Sequence, residues 1–158
     1  MTIGIDNGIT GGIVVLDADG EVEACYKMPW RHGRLRKCVD EIALSYHLEY
    51  HQSHSVYYEC PAGAKSHNAA VSMADSFART QAVIMLLRMD GQEVPPKTWQ
   101  KTYWKKKQGA DINTKDVAIA VAESIWPDVT FIPSGCSVPH TGLVDAALIA
   151  RWGMLQEI

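Results

Sequence analysis

The chain has 158 residues, of which 47% are hydrophobic and 21% charged, and its net charge is −3. This length fits one domain with a full core, and the hydrophobic fraction excludes a disordered chain. No apolar run reaches the ~18 residues that a membrane span needs, and the first residues lack the basic start of a signal peptide. The four cysteines form no Cys-x-x-Cys pair, so we expect a reducing, cytoplasmic location.

The predicted elements begin with an antiparallel meander of three strands. Apolar residues predict strands over 2–6, 13–16 and 21–28. A turn with three glycines joins the first two strands, and Asp17-Ala18-Asp19-Gly20 is typical of a hairpin turn between the second and the third. The chain therefore opens as a set of paired strands.

Helices and short strands alternate in the rest of the chain. Apolar residues at helical spacing predict a helix over 35–51, and a strand over 55–59 follows it. The later predicted elements are a long helix that is capped by Ser66 and ends at Asp90-Gly91, a brief strand at 93–94, and helices over 114–125 and 141–155. This order indicates an α/β fold, with a mixed sheet and helices on both faces, in a single domain over residues 1–158.

Three acidic residues lie where solvation alone does not explain them. Asp6 follows an apolar strand, Glu59 ends the strand at 55–59, and Asp145 lies within an otherwise apolar helix. A buried, unpaired carboxylate is costly, so three that converge need cations between them. Mg²⁺ prefers oxygen ligands, and two such ions about 3.5–4 Å apart can activate water for phosphodiester cleavage.

Each of these acids also has a simpler interpretation. Asp6 could form a turn before the next glycine, Glu59 could point into solvent at a strand end, and Asp145 could favour the positive end of a helix dipole. Periodicity does not bring the three side chains together, because that step depends on the fold.

Four segments carry a family likeness: Ile3-Gly4-Ile5-Asp6-Asn7-Gly8, Tyr57-Tyr58-Glu59, Pro96-Lys97-Thr98-Trp99-Gln100-Lys101 and Gly142-Leu143-Val144-Asp145. In this order they resemble the RuvC-like Holliday junction resolvases, in particular the compact phage-type members of the RNase H-like superfamily. The resemblance covers most of the chain. It implies an RNase H-like fold with a five-stranded mixed sheet, which agrees with the predicted strand order.

The resemblance also implies an activity. It predicts a Mg²⁺- or Mn²⁺-dependent endonuclease that acts as a homodimer and nicks opposed strands of a four-way DNA junction, in a bacterial cell or a phage-infected host. By position, Asp6, Glu59 and Asp145 resemble the family's metal ligands. Lys101 and Lys115 resemble the two lysines near the scissile phosphate, where positive charge offsets the charge of the transition state.

One position departs from the family pattern. The family's fourth ligand usually lies three or four residues before the last acid, where this chain has Thr141 and Gly142. His140 lies five residues before Asp145, so it is a candidate ligand or simply the residue that starts the helix. Imidazole binds Mn²⁺ better than Mg²⁺, so a histidine ligand would favour Mn²⁺.

Basic residues gather in two stretches. The first covers residues 31–37 and the second covers residues 97–107. The second stretch also contains Trp99, Tyr103 and Trp104, an arrangement that suits stacking on DNA bases. The alternative is that these aromatic residues belong to the core and that the lysines form a solvated surface. Lys65 is expected near the junction centre, in a loop that lacks the family's aromatic wedge. The predicted DNA-binding residues are Arg31, Arg34, Arg36, Lys37, Lys65, Lys97, Lys105, Lys106 and Lys107. A mildly acidic chain can thus still present a basic face to DNA.

Two other functions stay open. Asp6-x-Gly8-x-Thr10 resembles the phosphate-binding hairpin of actin-like and sugar-kinase phosphotransferases, but those proteins need two lobes and this length supplies one. A junction-binding protein with a degraded site is the other alternative. The absent fourth acid favours it, and the three acids present speak against it.

Three histidines invite a zinc interpretation. His47 and His51 lie four residues apart on a predicted helix, and His54 follows them. No glutamate follows His47, so the His-Glu-x-x-His pattern of zinc proteases is absent. We therefore expect a solvated helix end at these histidines.

Overall fold

A computed structural model of the chain describes residues 1–104 and 113–157. The strands are β1 (Thr2–Asp6), β2 (Gly12–Leu16), β3 (Val22–Lys27), β4 (Trp30–His32), β5 (Lys37–Val39), β6 (Ser55–Glu59) and β7 (Gly91–Val94). The helices are α1 (Glu41–Glu49), α2 (His67–Leu86), α3 (Pro96–Tyr103), α4 (Thr114–Ile125) and α5 (Thr141–Gln156). In these ranges no helix is both long enough and apolar enough to cross a membrane.

The central sheet has five strands in the order β3-β2-β1-β6-β7. Strand β2 pairs antiparallel with both β1 and β3, whereas the β1–β6 and β6–β7 pairs are parallel. The predicted mixed five-stranded sheet is therefore confirmed. Because β1, β6 and β7 run the same way, their carboxyl ends lie at one end of the sheet.

Helices cover both faces of the sheet, as predicted. Helices α3, α4 and α5 share one core cluster, which includes Trp99, Ala122 and Leu148. Helices α1 and α2 share the other cluster, which includes Leu44 and Ile84. The sheet is thus the middle layer between two apolar cores.

Helix α5 lies directly on β1 because Gly4 has no side chain. A Cβ at Gly4 would collide with the backbone of Ala146 and Ala150. This close approach brings the first turns of α5, including Asp145, over the central strand. The small residues of α5 therefore decide how near its one acid comes to the sheet.

The predicted helix over 35–51 is wrong at its start. Residues 30–39 form the two-stranded hairpin β4–β5, and α1 begins only at Glu41. The side chain of Asp40 accepts a hydrogen bond from the backbone N–H of Ala43 at 3.1 Å. This N-cap satisfies an otherwise unpaired amide, so Asp40 fixes where the helix begins.

The buried face of α1 also differs from the predicted one. Of the four apolar residues that predict the helix, Leu35, Ile42 and Tyr46 are exposed, whereas Val39 is buried but belongs to β5. Leu44 and Leu48 are the buried residues of α1 instead. Both sets have helical spacing, so the pattern does not decide which face packs on the sheet.

Helix α3 has no counterpart among the predicted elements. It follows the predicted strand at 93–94 almost at once, and Pro96 is its first residue. Proline suits the first position of a helix because an N–H there has no partner within the helix, so its absence in proline costs no hydrogen bond. The predicted helix from Ser66 is too long, because α2 ends at Leu86 and Gly91 already belongs to β7. Its predicted cap is right, since Ser66 Oγ accepts a hydrogen bond from Ala69 N at 3.2 Å.

Candidate metal centre

The three predicted acids meet at the carboxyl end of the parallel strands. Asp6 is the last residue of β1 and Glu59 is the last residue of β6. These strands are parallel neighbours in which Ile5 lies opposite Tyr58, so the two acids follow at the next position. Asp145 reaches the same place from α5. The fold therefore supplies the convergence that periodicity does not.

The pKa shifts show that the three carboxyl groups influence one another. Burial raises the pKa of Asp6 well above its ordinary value, and the charges of Glu59 and Asp145 raise it further. Burial and then Glu59 raise the pKa of Asp145 to about 7, while the charge of Lys115 acts in the opposite direction. A divalent ion among these carboxylates would relieve both the desolvation and the repulsion.

The spacing of the acids bears on how many ions they suit. Among the described residues, no choice of one oxygen from each of the three acids puts all three atoms within 4.8 Å of one another. Ligand oxygens around one Mg²⁺ ion, each at about 2.1 Å, lie no more than about 4.2 Å apart. A single ion held by all three acids would therefore need their side chains to move closer together.

Trp99 holds one oxygen of Glu59. Its indole Nε1 donates a hydrogen bond to Glu59 Oε1 at 2.8 Å, and this bond partly opposes the rise in the pKa of Glu59 that burial causes. Trp99 is only 1% exposed, so it is not available to stack on DNA. Tyr103 donates its hydroxyl to the backbone oxygen of Leu148 at 2.8 Å. For these two residues, the alternative of core aromatics is the right one.

Asn7 is a site residue that the sequence pattern does not single out. Its Nδ2 donates to the backbone oxygen of Glu59 at 2.8 Å, which ties the ends of β1 and β6 together. Its Oδ1 is buried and has no hydrogen-bond partner in the described ranges. An orphaned oxygen next to carboxylates fits a hard divalent cation or its bound water. The sequence feature that could have pointed to Asn7 as a site residue is its position directly after Asp6.

The structure accounts for the missing fourth acid. A Cβ at Gly142 would lie 2.6 Å from Gly11 Cα, so the turn between β1 and β2 leaves no room for a side chain there. His140 is the N-cap of α5, and its Nδ1 accepts a hydrogen bond from Leu143 N at 3.3 Å. Burial and the nearby charge of Lys27 lower the pKa of His140. A capping role is thus what the structure gives His140.

Helices α3 and α4 carry exposed lysines. Lys115, at the start of α4, is close enough to Asp145 to lower its pKa. Lys97 and Lys101 lie one turn apart on α3, and both line a groove of about 790 Å³ that also contacts Gly63. Lys115 of α4 thus places a positive charge close to Asp145, and the two lysines of α3 place positive charge along the groove.

The β4–β5 hairpin carries the first basic stretch. Arg31 is partly neutralised, because its Nη2 lies 3.0 Å from Glu41 Oε2. Lys37 Nζ lies 3.8 Å from the centroid of the Trp30 ring, in a cation–π contact. The other two predicted cations of this stretch are exposed: Arg34 and Arg36.

The remaining predicted DNA contacts fall into two groups. Lys65 is exposed in the loop between β6 and α2. Lys105, Lys106 and Lys107 lie outside the described residues. The basic surface that the structure describes is therefore made of the hairpin, Lys65 and the exposed lysines of α3 and α4.

The sheet order, the helices on both faces and the acids at the ends of β1 and β6 define an RNase H-like α/β fold. Solved structures of RuvC share this fold. The structure of T. thermophilus RuvC in complex with a Holliday junction substrate matches with a TM-score of 0.65 at 15% identity, over 98% of this chain and 93% of that chain. A second Thermus thermophilus RuvC structure matches with a TM-score of 0.61 at 14% identity, over 98% and 94%.

No protein-family model and no curated protein matches the sequence. The likeness to RuvC is therefore one of fold. At this level, the predicted resemblance and the predicted fold class are both confirmed.

Proposed function

We propose that the protein is a divalent-metal-dependent endonuclease that hydrolyses phosphodiester bonds in four-way or branched DNA junctions. The observation that carries this proposal is the convergence of Asp6, Glu59 and Asp145 at one end of a RuvC-like sheet. A RuvC structure of this fold has been solved with a Holliday junction substrate. Lys115 beside Asp145 and the exposed lysines of α3 support DNA as the substrate, since phosphate contacts supply most of the attraction to DNA.

The proposed cofactor is Mg²⁺ or Mn²⁺, with two ions in the site. Asp6, Glu59 and Asp145 are the proposed ligands, and Asn7 and His140 are candidates for a further one. When bound, such ions activate water and stabilise the leaving oxygen. The oxygen donors and the unpartnered Asn7 Oδ1 support this choice of hard cation.

The chain's own residues have distinct proposed roles in the hydrolysis. Water loses one proton as its oxygen bonds to phosphorus, the bond from phosphorus to one sugar oxygen breaks, and that sugar oxygen takes up one proton, so the protons balance. Lys115, beside Asp145, offsets negative charge on the phosphate in the transition state. Lys101 and Lys97 position the DNA strand in the α3 groove. Trp99 keeps Glu59 oriented.

We further propose that the chain is one nuclease domain that acts as a homodimer in the cytoplasm of a bacterial cell or a phage-infected host. Two opposed strands of a junction need two active sites, and the predicted resemblance to the resolvases supports a dimer. Sedimentation equilibrium of the purified protein measures this directly. A mass of one chain at all concentrations, with and without junction DNA, would contradict the homodimer.

The test of the function uses a labelled four-way junction with Mg²⁺ or Mn²⁺. We expect symmetric nicks from the wild type, and binding without nicks from Asp6→Asn. Asp19→Asn is the matched control, because Asp19 is exposed in the β2–β3 turn and should leave cleavage unchanged. If the wild type binds the junction and cuts it with neither metal, the nuclease proposal fails.

That negative outcome would support the second candidate, a junction-binding protein without catalysis. The lack of room for a side chain at Gly142 favours it, since the fourth acid has no place there. ATP hydrolysis in the absence of DNA cleavage would instead support a phosphotransferase, for which the Asp6-x-Gly8-x-Thr10 motif is the only support.

A further inference from the structure

A second group of potential metal ligands lies at the opposite end of β6 from the acids. His54 comes directly before the first residue of β6, and Glu59 is its last residue. His51 and Glu23 complete the group. Because β6 separates His54 from Glu59, this group is distinct from the proposed nuclease centre.

A β-bulge places Glu23 in this group. In the β2–β3 pair, Val15 lies opposite Ala24 and Leu16 lies opposite Val22, so Glu23 is an extra residue with no partner in β2. Bulges of this kind change the direction of a side chain, and they recur next to functional sites. The Glu23 side chain is exposed, so it is free to move towards a ligand.

Helix α1 brings the histidines to the same place. It packs against β3, where the His47 ring stacks on Tyr26 with centroids 4.2 Å apart. His51 follows the C-cap of α1, Tyr50, and lies beside Glu23. The backbone N–H of His54 donates to the backbone oxygen of His51 at 2.9 Å, and their rings meet edge to face with centroids 5.0 Å apart.

The ligand atoms of these side chains are already close. One ligand atom from each of Glu23, His51 and His54 lies within 4.8 Å of the other two, and among the described residues no other group of histidine, cysteine or acidic side chains meets this limit. Ligand atoms around a tetrahedral Zn²⁺ ion lie about 3.3 Å apart. Small side-chain rotations therefore suffice to close the site.

His54 provides an independent reason to expect a ligand here. The residue is only 7% exposed, and neither of its ring nitrogens has a hydrogen-bond partner in the described part of the chain. Buried polar groups in native proteins are rarely left unpaired. The expected solvated helix end is thus wrong for His54, and a bound ion or an ordered water would satisfy its ring.

We propose that Glu23, His51 and His54 form a Zn²⁺ site, with water as the fourth ligand, that ties β3 to the segment between α1 and β6. Two imidazoles and one carboxylate suit Zn²⁺, whereas Mg²⁺ prefers all-oxygen sites. Strand β3 lies at the edge of the sheet, so it gains most from such a connection. The ion stabilises the folded chain because the unfolded chain has no assembled site.

The experiment titrates Zn²⁺ into the metal-free full chain by calorimetry, with excess Mg²⁺ present to occupy the acidic centre. We expect one Zn²⁺ per chain and a higher thermal unfolding midpoint with zinc. Since loss even of a partner outside the ligand shell weakens metal binding about 10–100-fold, His51→Ala and Glu23→Gln should each weaken it at least about tenfold. His32→Ala, which removes an exposed histidine of β4, is the matched control and should bind zinc normally.

His51 and Glu23 are the informative positions because neither is buried, so their variants should fold. The His54 ring nitrogens give a direct signal, since their NMR resonances should shift when zinc is added. Zinc binding that is absent, or equal in the wild type, His51→Ala and Glu23→Gln, overturns the proposal. Binding that Asp6→Asn abolishes and His51→Ala retains also overturns it, because zinc then occupies the acidic centre.

Discussion

The two ends of β6 differ in the donor atoms that they gather. At the carboxyl end, Glu59 joins Asp6 and Asp145, whose pKa values burial and mutual repulsion raise. At the amino end, His54 lies with His51 and Glu23, and its buried ring has no hydrogen-bond partner among the described residues. The difference teaches that a five-residue strand is long enough to keep two groups of different donor atoms apart. An all-oxygen group suits hard cations, and an imidazole group suits zinc.

The largest expected effect separates the two ends directly. Asp6→Asn should lower the rate of junction cleavage by about 10³-fold, because it removes one carboxylate from the proposed ligand set. Junction binding and zinc binding at the other end should persist. Gel-shift, single-turnover cleavage and calorimetry measure these three properties. Cleavage at the wild-type rate would show that the acids at this end are not the reacting centre.

Lys115→Met should lower the single-turnover rate by about 10²-fold at saturating DNA, since its charge beside Asp145 acts on the transition state. Lys97→Met is the comparison, because Lys97 lies in the α3 groove. We expect Lys97→Met to weaken DNA binding with little change in the rate at saturation. Equal rate losses in both variants would mean that Lys115 has no special role.

Trp99→Phe should lower the cleavage rate roughly tenfold, because it frees Glu59 Oε1 from its hydrogen bond. Tyr103→Phe is a matched control on the same helix, since it also removes one hydrogen bond, to Leu148. Each variant should cost about 1 kcal/mol of stability in denaturant unfolding. A similar loss of cleavage in both would make the Trp99 effect one of stability alone.

The acidic end should also make the metal-free protein sensitive to pH. The pKa of Asp145 is about 7 in the folded chain and about 3.9 in an unfolded one, so the folded state holds its proton more tightly. The contribution of the bound proton of Asp145 to the free energy of unfolding is therefore fully present below about pH 4 and is lost as pH rises through 7. We expect Asp145→Asn to flatten the fall in the unfolding midpoint between pH 5 and 8 in a chelator, by roughly a few degrees.

An unchanged pH dependence in Asp145→Asn would assign the fall to other groups. Added Mg²⁺ or Mn²⁺ should raise the midpoint of the wild type more at pH 8 than at pH 5, because the ligands must be deprotonated to bind. The same ions should change the NMR signals of His51 and His54 little.

The smallest expected effect concerns the hairpin. Arg34→Ala and Arg36→Ala should each weaken junction binding and reduce the slope of log affinity against log salt by about 1, if each contacts one phosphate. Arg31→Ala should do less, because Arg31 already pairs with Glu41. Binding measured across a salt series distinguishes these cases, and three equal slopes would exclude a selective role for the hairpin tip.

Some residues of the candidate sites could be predicted from the sequence because their immediate neighbours mark them as unusual, and others could not. Asp6, Glu59 and Asp145 stand out in the sequence because an acid in an apolar segment is unusual. Asn7 does not, because asparagine before glycine is typical of a turn, and only its buried Oδ1 marks it. Glu23 carries no signal at all in the sequence, since a bulge brings it to the histidines.

The sequence by itself determined the five strands of the central sheet, most of the helices and the cap at Ser66, because alternation, helical spacing and capping residues act over a few neighbouring positions. It did not determine which face of α1 is buried, since Leu44 and Leu48 compete with the equally spaced Ile42 and Tyr46. The tertiary structure decided that choice, the burial of Trp99 and the two ligand groups at the ends of β6. These depend on contacts between residues far apart in the chain, which local patterns do not encode.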